Sequence, residues 1–101
     1  MPYSIEDIKR CVGPVARRYG VERVMLFGSY ARNEATGGSD VDLRIDSGML
    51  RGYFKLAGFQ RELSESLSLP VDVLTTGALN DAFLSKIAGE EVLLYERSEE
   101  S

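Results

Sequence analysis

Asp40 and Asp42 stand two residues apart in a stretch where Val41, Leu43 and Ile45 alternate with Asp40, Asp42, Arg44 and Asp46. A period of two marks a strand with one apolar and one charged face, so both carboxylates project from the same side, with Cα atoms about 7 Å apart. Like charges so placed repel unless a cation lies between them. Oxygen ligands without histidine or cysteine nearby select Mg²⁺ or Mn²⁺ over zinc or copper. Upstream, Gly28-Ser29 close the β-branched and aromatic run Val21 to Phe27. Read as a strand leading straight into a short helix over Ser29 to about Glu34, this places backbone N–H groups at a helix N-terminus, where an anion such as phosphate is favoured. Gly28 lets the backbone approach closely, Ser29 adds a hydroxyl, and Arg32, one turn on, can hold a second phosphate oxygen. Asp72, between Val71 and Val73, is a third carboxylate, in a strand that reads as buried and so needs a partner. If that strand lies beside the one carrying Asp40 and Asp42, three carboxylates converge, enough for two metal ions about 3.5–4 Å apart.

Taken singly, each feature also has an ordinary explanation. Gly28 suits any strand-to-helix turn, an isolated Asp-x-Asp suits a solvated strand face, and Asp72 suits a strand-end contact. The rest of the composition narrows the chemistry. There is no histidine, which removes Ser-His-Asp and Cys-His nucleophile chemistry and imidazole as a base. Cys11 is the lone cysteine, so an internal disulfide and a cysteine-rich zinc site are excluded; it reads as a small buried apolar residue. Any catalysis must rest on carboxylates and metal. A net charge of −4, with no long basic run, argues against tight electrostatic binding of DNA or RNA.

The elements that must position these groups are legible from periodicity. Ile5, Ile8, Val12, Val15 and Tyr19 recur at gaps of three and four, predicting a helix over Ser4 to Tyr19, with Ser4 as N-cap, Asp7 three residues on and Gly20 as the stop. Gly13-Pro14 predicts a kink or break, because an interior proline removes a hydrogen bond at a cost of about 3 kcal/mol. After the Val21–Phe27 strand, Asn33 to Ser39 is loop chemistry. Leu56, Phe59, Leu63 and Leu67 mark a second long helix, and Phe54, off its stripe, reads first as satellite core and second as a contact for a partner. Pro70 opens a strand over Val71 to Leu74, Phe83, Leu84 and Ile87 mark a helix closed by Gly89, and Val92 to Tyr95 form a last strand before a polar tail, Glu96 to Ser101. The order α-β-α-β-α-β-α-β predicts an α/β or α+β fold, a mixed sheet of about four strands with helices packed on it. The 101 residues suit a single domain, 1–101, with 44% apolar residues to fill its core and no separate substrate domain. No apolar stretch suits a membrane span, and Met1 to Glu6 lacks the pattern of a signal peptide, so a cytoplasmic location is expected.

Joint spacing says more than any one motif. Gly28-Ser29, ten intervening residues (30–39), Asp40-Val41-Asp42 and a later Val71-Asp72-Val73 together resemble the DNA polymerase β-like nucleotidyltransferase superfamily. Phe27-Gly28-Ser29-Tyr30-Ala31-Arg32 and Ser39-Asp40-Val41-Asp42-Leu43 look like the signature of its minimal nucleotidyltransferase (MNT) group, and the likeness extends over the first helix and Leu94-Tyr95-Glu96. Asn33, where that group usually has glycine, and Arg44, where it usually has an apolar residue, depart from the pattern. Asparagine tolerates positive φ, so the turn need not change. Arg44, on the Asp42 face, could pair with Asp46 or touch a phosphate or a partner.

The resemblance implies ATP bound through Gly28 and Ser29, with Arg32 and Ser39 among the nucleotide contacts. It implies Asp40, Asp42 and Asp72 as catalytic residues and ligands of two Mg²⁺ ions, with Mn²⁺ as an alternative, and AMP transfer to a hydroxyl. It further implies an antitoxin role, with a HEPN-domain toxin as partner in a hetero-oligomer and a tyrosine of that partner as the acceptor. Beside this stand two other readings: an antitoxin acting by stoichiometric binding without catalysis, and a nucleotidyltransferase for a small hydroxylated molecule.

Overall fold

Ser4 begins the first helix as its sequence requires. Its hydroxyl accepts the Asp7 N–H at 3.1 Å, and the Asp7 carboxylate accepts the Ser4 N–H at 3.2 Å, a reciprocal capping box. Helix α1, Ile5–Tyr19, ends at Gly20, whose φ of 73° lets its N–H turn back to the carbonyls of Ala16 and Arg17. Of the kink or break expected at Pro14, the break is absent: the helix runs through it as one element. A proline clashes with the Cβ of the residue before it, and Gly13 has none. Pro14 is also exposed, while Ile8, Val12, Val15 and Ala16 bury the opposite face and hold the helix to the core.

The computed structural model describes residues 3–98. Beyond α1 it contains β1 (Arg23–Phe27), β2 (Val41–Asp46), α2 (Tyr53–Leu67), β3 (Val71–Thr75), a 3₁₀ turn at Thr76–Ala78, α3 (Asp81–Ala88) and β4 (Val92–Glu96). The four strands form one mixed sheet in the order β3-β2-β1-β4, with β1 antiparallel to β2 and β4 and β2 parallel to β3. The expected α+β class and four-stranded mixed sheet are observed.

Alternation puts Val41, Leu43 and Ile45 of β2 into the core, where they meet Val24 and Leu26 of β1 and Val71 and Val73 of β3. Helices α1 and α2 cover this face, α2 through Phe59, Leu63 and Leu67. Tyr19 ties the two helices together: its ring meets Phe59 edge-on with centroids 5.5 Å apart, and its hydroxyl donates to Glu62 at 3.2 Å. Arg18 pairs with Glu62 as well. The opposite face of the sheet carries Asp42, Arg44 and Asp46.

Strand directions gather the chemistry at one end. The end of β1 lies beside the start of β2 (Phe27 opposite Asp42), β2 and β3 start together (Asp42 opposite Asp72), and β4 starts beside the end of β1 (Val92 opposite Leu26). Residues near 28, 40, 72 and 90 therefore share one rim.

Four expectations need correction. No helix forms over Ser29–Glu34; the chain makes a single wound turn, with Arg32 N–H to Gly28 O at 3.0 Å and Glu34 N–H to Ser29 O at 2.8 Å, so the order of long elements is α-β-β-α-β-α-β. Asn33 stops the winding at φ 62°, the positive value its residue type tolerates. Strand β3 is not buried on both sides but forms a sheet edge, leaving Asp72 exposed. Phe54 is 89% exposed: α2 starts at Tyr53, and its first residues Tyr53, Phe54 and Lys55 all face solvent. Of the expected tail Glu96 to Ser101, Glu96 belongs to β4 and residues 99–101 lie outside the described residues.

Because the helix tolerates Pro14 without needing it, Pro14→Ala should restore a backbone hydrogen bond on an exposed face. Urea denaturation should show a gain of about 1–3 kcal/mol.

Candidate active site

Strand β1 delivers the chain to Gly28, which is buried and adopts φ 80°. Positive φ favours glycine, and a second constraint adds to it: a Cβ on Gly28 would lie 2.2 Å from Asp42 Oδ2. The Asp42 carboxylate thus rests directly against the Gly28 backbone. Tyr30, 3% exposed, plugs the following turn into the core and holds the loop in place.

Asp42 lies on β2, in register with Phe27 on one side and Asp72 on the other, and opposed residues of neighbouring strands share a face. Asp40 sits just before β2 at the exposed rim. Among the described residues no ion pair or hydrogen bond reaches the side chains of Asp40, Asp42 or Asp72, whereas Asp7, Asp46, Glu34, Glu62, Glu90, Glu91 and Glu96 all pair with arginine. Partial burial, then the charges of Asp72 and Asp40, raise the pKa of Asp42 above the ordinary aspartate value; Arg32 pulls it the other way. The three carboxylates are neighbours but not a closed cage: among the described residues no group of three acidic, thiol or imidazole side chains is drawn together tightly enough to hold a metal ion. Their all-oxygen chemistry still suits a hard divalent cation, and part-buried Asp42 has the greatest need of one.

A cavity of about 430 Å³ opens beside them, lined by Gly28, Ser29, Arg32, Asp40 and Asp42 together with Phe27, Phe83, Lys86, Ile87 and Glu90. A larger hollow of about 540 Å³ lies elsewhere, around Arg18, Tyr19, Met49 and Phe54; none of the candidate residues borders it, so we place the chemistry in the smaller one. Arg32 reaches the site cavity but is engaged, its Nε 3.0 Å from Glu34 and its Nη1 3.2 Å from Glu90. Ser39 Oγ accepts the Thr36 N–H at 2.8 Å and closes the loop ahead of β2. Asp72 is not among the residues lining this cavity; it borders a separate hollow of about 400 Å³ with Tyr53, Arg61 and Pro70.

Sequence reasoning missed Phe83, Lys86 and Glu90. Phe83 meets Phe27 edge-on with centroids 5.9 Å apart and so brings α3 to the site, with Lys86 and Ile87. Glu90 arrives because β4 pairs with β1, a long-range fact that no local pattern carries. Arg44, whose role was open, makes a mostly buried pair with Glu91 at 2.5 and 2.9 Å, donates to Thr76 at 2.7 Å and lies 3.6 Å from Asp46. It ties β2 to the start of β4.

A mixed four-stranded sheet with a glycine-serine turn set against paired aspartates is the polymerase β-like nucleotidyltransferase fold. Comparison with known proteins agrees. A family model described as polymerase beta, nucleotidyltransferase, matches residues 11–100. A Methanocaldococcus jannaschii protein, provisionally named a protein adenylyltransferase, is 37% identical over 89 residues, spanning 88% of this chain and 96% of its own. A solved structure provisionally described as a minimal nucleotidyltransferase superposes with TM-score 0.77 at 27% identity, over 89% of this chain and 95% of that one. A chain from the complex of a tri-AMPylated Shewanella oneidensis HEPN toxin with an MNT antitoxin gives TM-score 0.71 over 92% of this chain and 73% of that one; at 14% identity it bears on the fold alone. The chain belongs to the polymerase beta nucleotidyltransferase family, and its enzyme class is nucleotidyltransferase. Among the described residues no helix is long and apolar enough to cross a membrane.

Two outcomes follow from this geometry. Gly28→Ala forces a Cβ into Asp42 and strains the backbone, so it should cost about 2–4 kcal/mol in denaturant unfolding. The second concerns pH. A carboxyl whose pKa is raised in the fold favours folding below its unfolded value, near pH 3.9, and loses that contribution as pH rises through the higher folded value. Without divalent metal, Asp42→Asn should therefore melt above wild type at about pH 7 and match it at about pH 3.

Proposed function

We propose that this chain transfers AMP from ATP, with Mg²⁺, to a tyrosine hydroxyl of a HEPN-type toxin partner, and acts as the antitoxin of that pair. The observation that carries the reading is the unpaired, part-buried Asp42, pressed against Gly28 and flanked by Asp40 and Asp72, whereas seven carboxylates elsewhere among the described residues pair with arginine. The kinship with protein adenylyltransferases supports adenylyl transfer, and the choice of partner is suggested by the HEPN toxin that accompanies the MNT antitoxin in the complex of like fold.

In this reading the Gly28 N–H, the Ser29 hydroxyl and Arg32 bind the triphosphate, and Ser39 shapes the loop beside it. Asp40, Asp42 and Asp72 would hold Mg²⁺, which when bound neutralises phosphate charge. Asp72, exposed on the edge strand, faces the side from which a partner can present an acceptor and takes its hydroxyl proton. The acceptor oxygen bonds to the α-phosphorus while the bond to the β-phosphate oxygen breaks, and pyrophosphate leaves. Positioning and charge account for the catalysis, so histidine is not required.

Incubation with the HEPN-type partner, ATP and Mg²⁺ should add an AMP-sized mass to a partner tyrosine, and Asp42→Asn should slow this by at least about 100-fold. An unmodified partner would overturn adenylyl transfer, and an Asp42→Asn protein that neutralises the toxin as well as wild type would establish stoichiometric binding instead. Mg²⁺ with ATP should also raise the melting temperature of wild type more than that of Asp42→Ala.

A further inference from the structure

Glu90 engages both the Gly28 N–H and Arg32, two donors of the proposed triphosphate site. Its Oε2 accepts the Gly28 N–H at 2.6 Å, and its Oε1 and Oε2 lie 3.2 and 3.3 Å from Arg32 Nη1. A backbone N–H and a guanidinium converging on two anionic oxygens are the donors that a phosphate would meet. Glu90 comes from a stretch whose backbone is fixed on both sides: α3 ends just before it at Ala88, and the next residue, Glu91, is clamped to Arg44 at 2.5 and 2.9 Å. The side chain itself is held by these two contacts, with 23% of its surface in solvent, and it lines the same cavity as Ser29, Asp40 and Asp42.

We propose that Glu90 is a built-in stand-in for the nucleotide phosphate, holding Gly28 and Arg32 in their binding positions in the nucleotide-free protein and yielding them when the triphosphate arrives. This rests on the reading of Gly28-Ser29 as the triphosphate site. The contact has two opposed effects. It keeps the positive-φ turn and the Arg32 side chain organised while no ligand is present, and it competes with ATP for both donors. Its position also disfavours unproductive occupation, because a bare anion with few contacts competes poorly with a carboxylate tethered nearby, whereas a triphosphate with several contacts competes well.

Calorimetric titration with ATP and Mg²⁺ tests this on wild type, Glu90→Gln and Glu34→Gln. Glu34 also pairs with Arg32, at 3.0 Å, but does not touch Gly28, so it reports the general effect of removing a nearby negative charge. Glu90→Gln should bind ATP at least about tenfold more tightly than wild type, the worth of one hydrogen bond to a charged group. Glu34→Gln should change binding by less than about threefold. In NMR spectra of the nucleotide-free protein, the Gly28 amide proton should lie downfield in wild type and move upfield in Glu90→Ala. Equal affinities of Glu90→Gln and Glu34→Gln, or a Gly28 amide unmoved in Glu90→Ala, would overturn the stand-in while leaving the nucleotide site intact if wild type binds ATP. Folded wild type and Glu90→Gln that both fail to bind ATP would overturn the nucleotide reading and the stand-in together.

Discussion

The Asp42 carboxylate lies so close to the Cα of Gly28 that no side chain fits between them, and much of the rim is arranged around that approach. It requires glycine at position 28, with φ 80°, and it requires β1 and β2 to be antiparallel neighbours with Phe27 opposite Asp42. The loop between these strands must leave the sheet at Gly28 and return at Val41, which Tyr30 allows by anchoring the turn in the core. A negative charge is thereby held half-buried beside a backbone that leads into the cavity of about 430 Å³. Burying a carboxylate without a partner costs free energy, and a bound cation can offset that cost.

Several other charges among the described residues are paired instead. Arg23 spans β1 to Asp46 and Glu96, Arg44 joins β2 to the start of β4 through Glu91, and Arg18 joins the two long helices through Glu62. Exposed pairs of this kind contribute little each, but the Arg44–Glu91 pair is mostly buried, and removing one partner alone would strand the other in the interior. Ion pairs thus fasten the far reaches of the sheet while the acidic rim is left open. At that rim Glu90 is the exception: a paired carboxylate among unpaired ones, engaged with the Gly28 backbone and with Arg32.

Much of the scaffold could be read from the chain because it depends on local periodicity. The capping box at Ser4 and Asp7, the alternation from Val41 to Asp46 and the stripe Phe59, Leu63, Leu67 each lie within a few turns or one strand. Errors arose where a local rule met a neighbour it could not see. Pro14 did not break its helix, because Gly13 has no Cβ to clash and the buried face holds the helix on the core. The turn after Ser29 did not propagate, because Asn33 ends it at positive φ. Phe54 found no core to join, and Asp72 lies on an edge strand rather than within the sheet.

Sequence alone narrowed the type of chemistry: a chain without histidine has no imidazole base or ligand, and Gly28-Ser29 ahead of Asp40 and Asp42 points to carboxylates with a hard cation. Residue types and short spacings decide that. Only the tertiary structure decided which distant groups join them. Asp72 comes into register with Asp42 through a parallel pairing across α2, and Glu90 reaches the Gly28 N–H because β4 pairs with β1 at the opposite edge of the sheet. Strand order is set by how the whole apolar face is buried beneath α1 and α2, a property of the assembled core that no single segment contains.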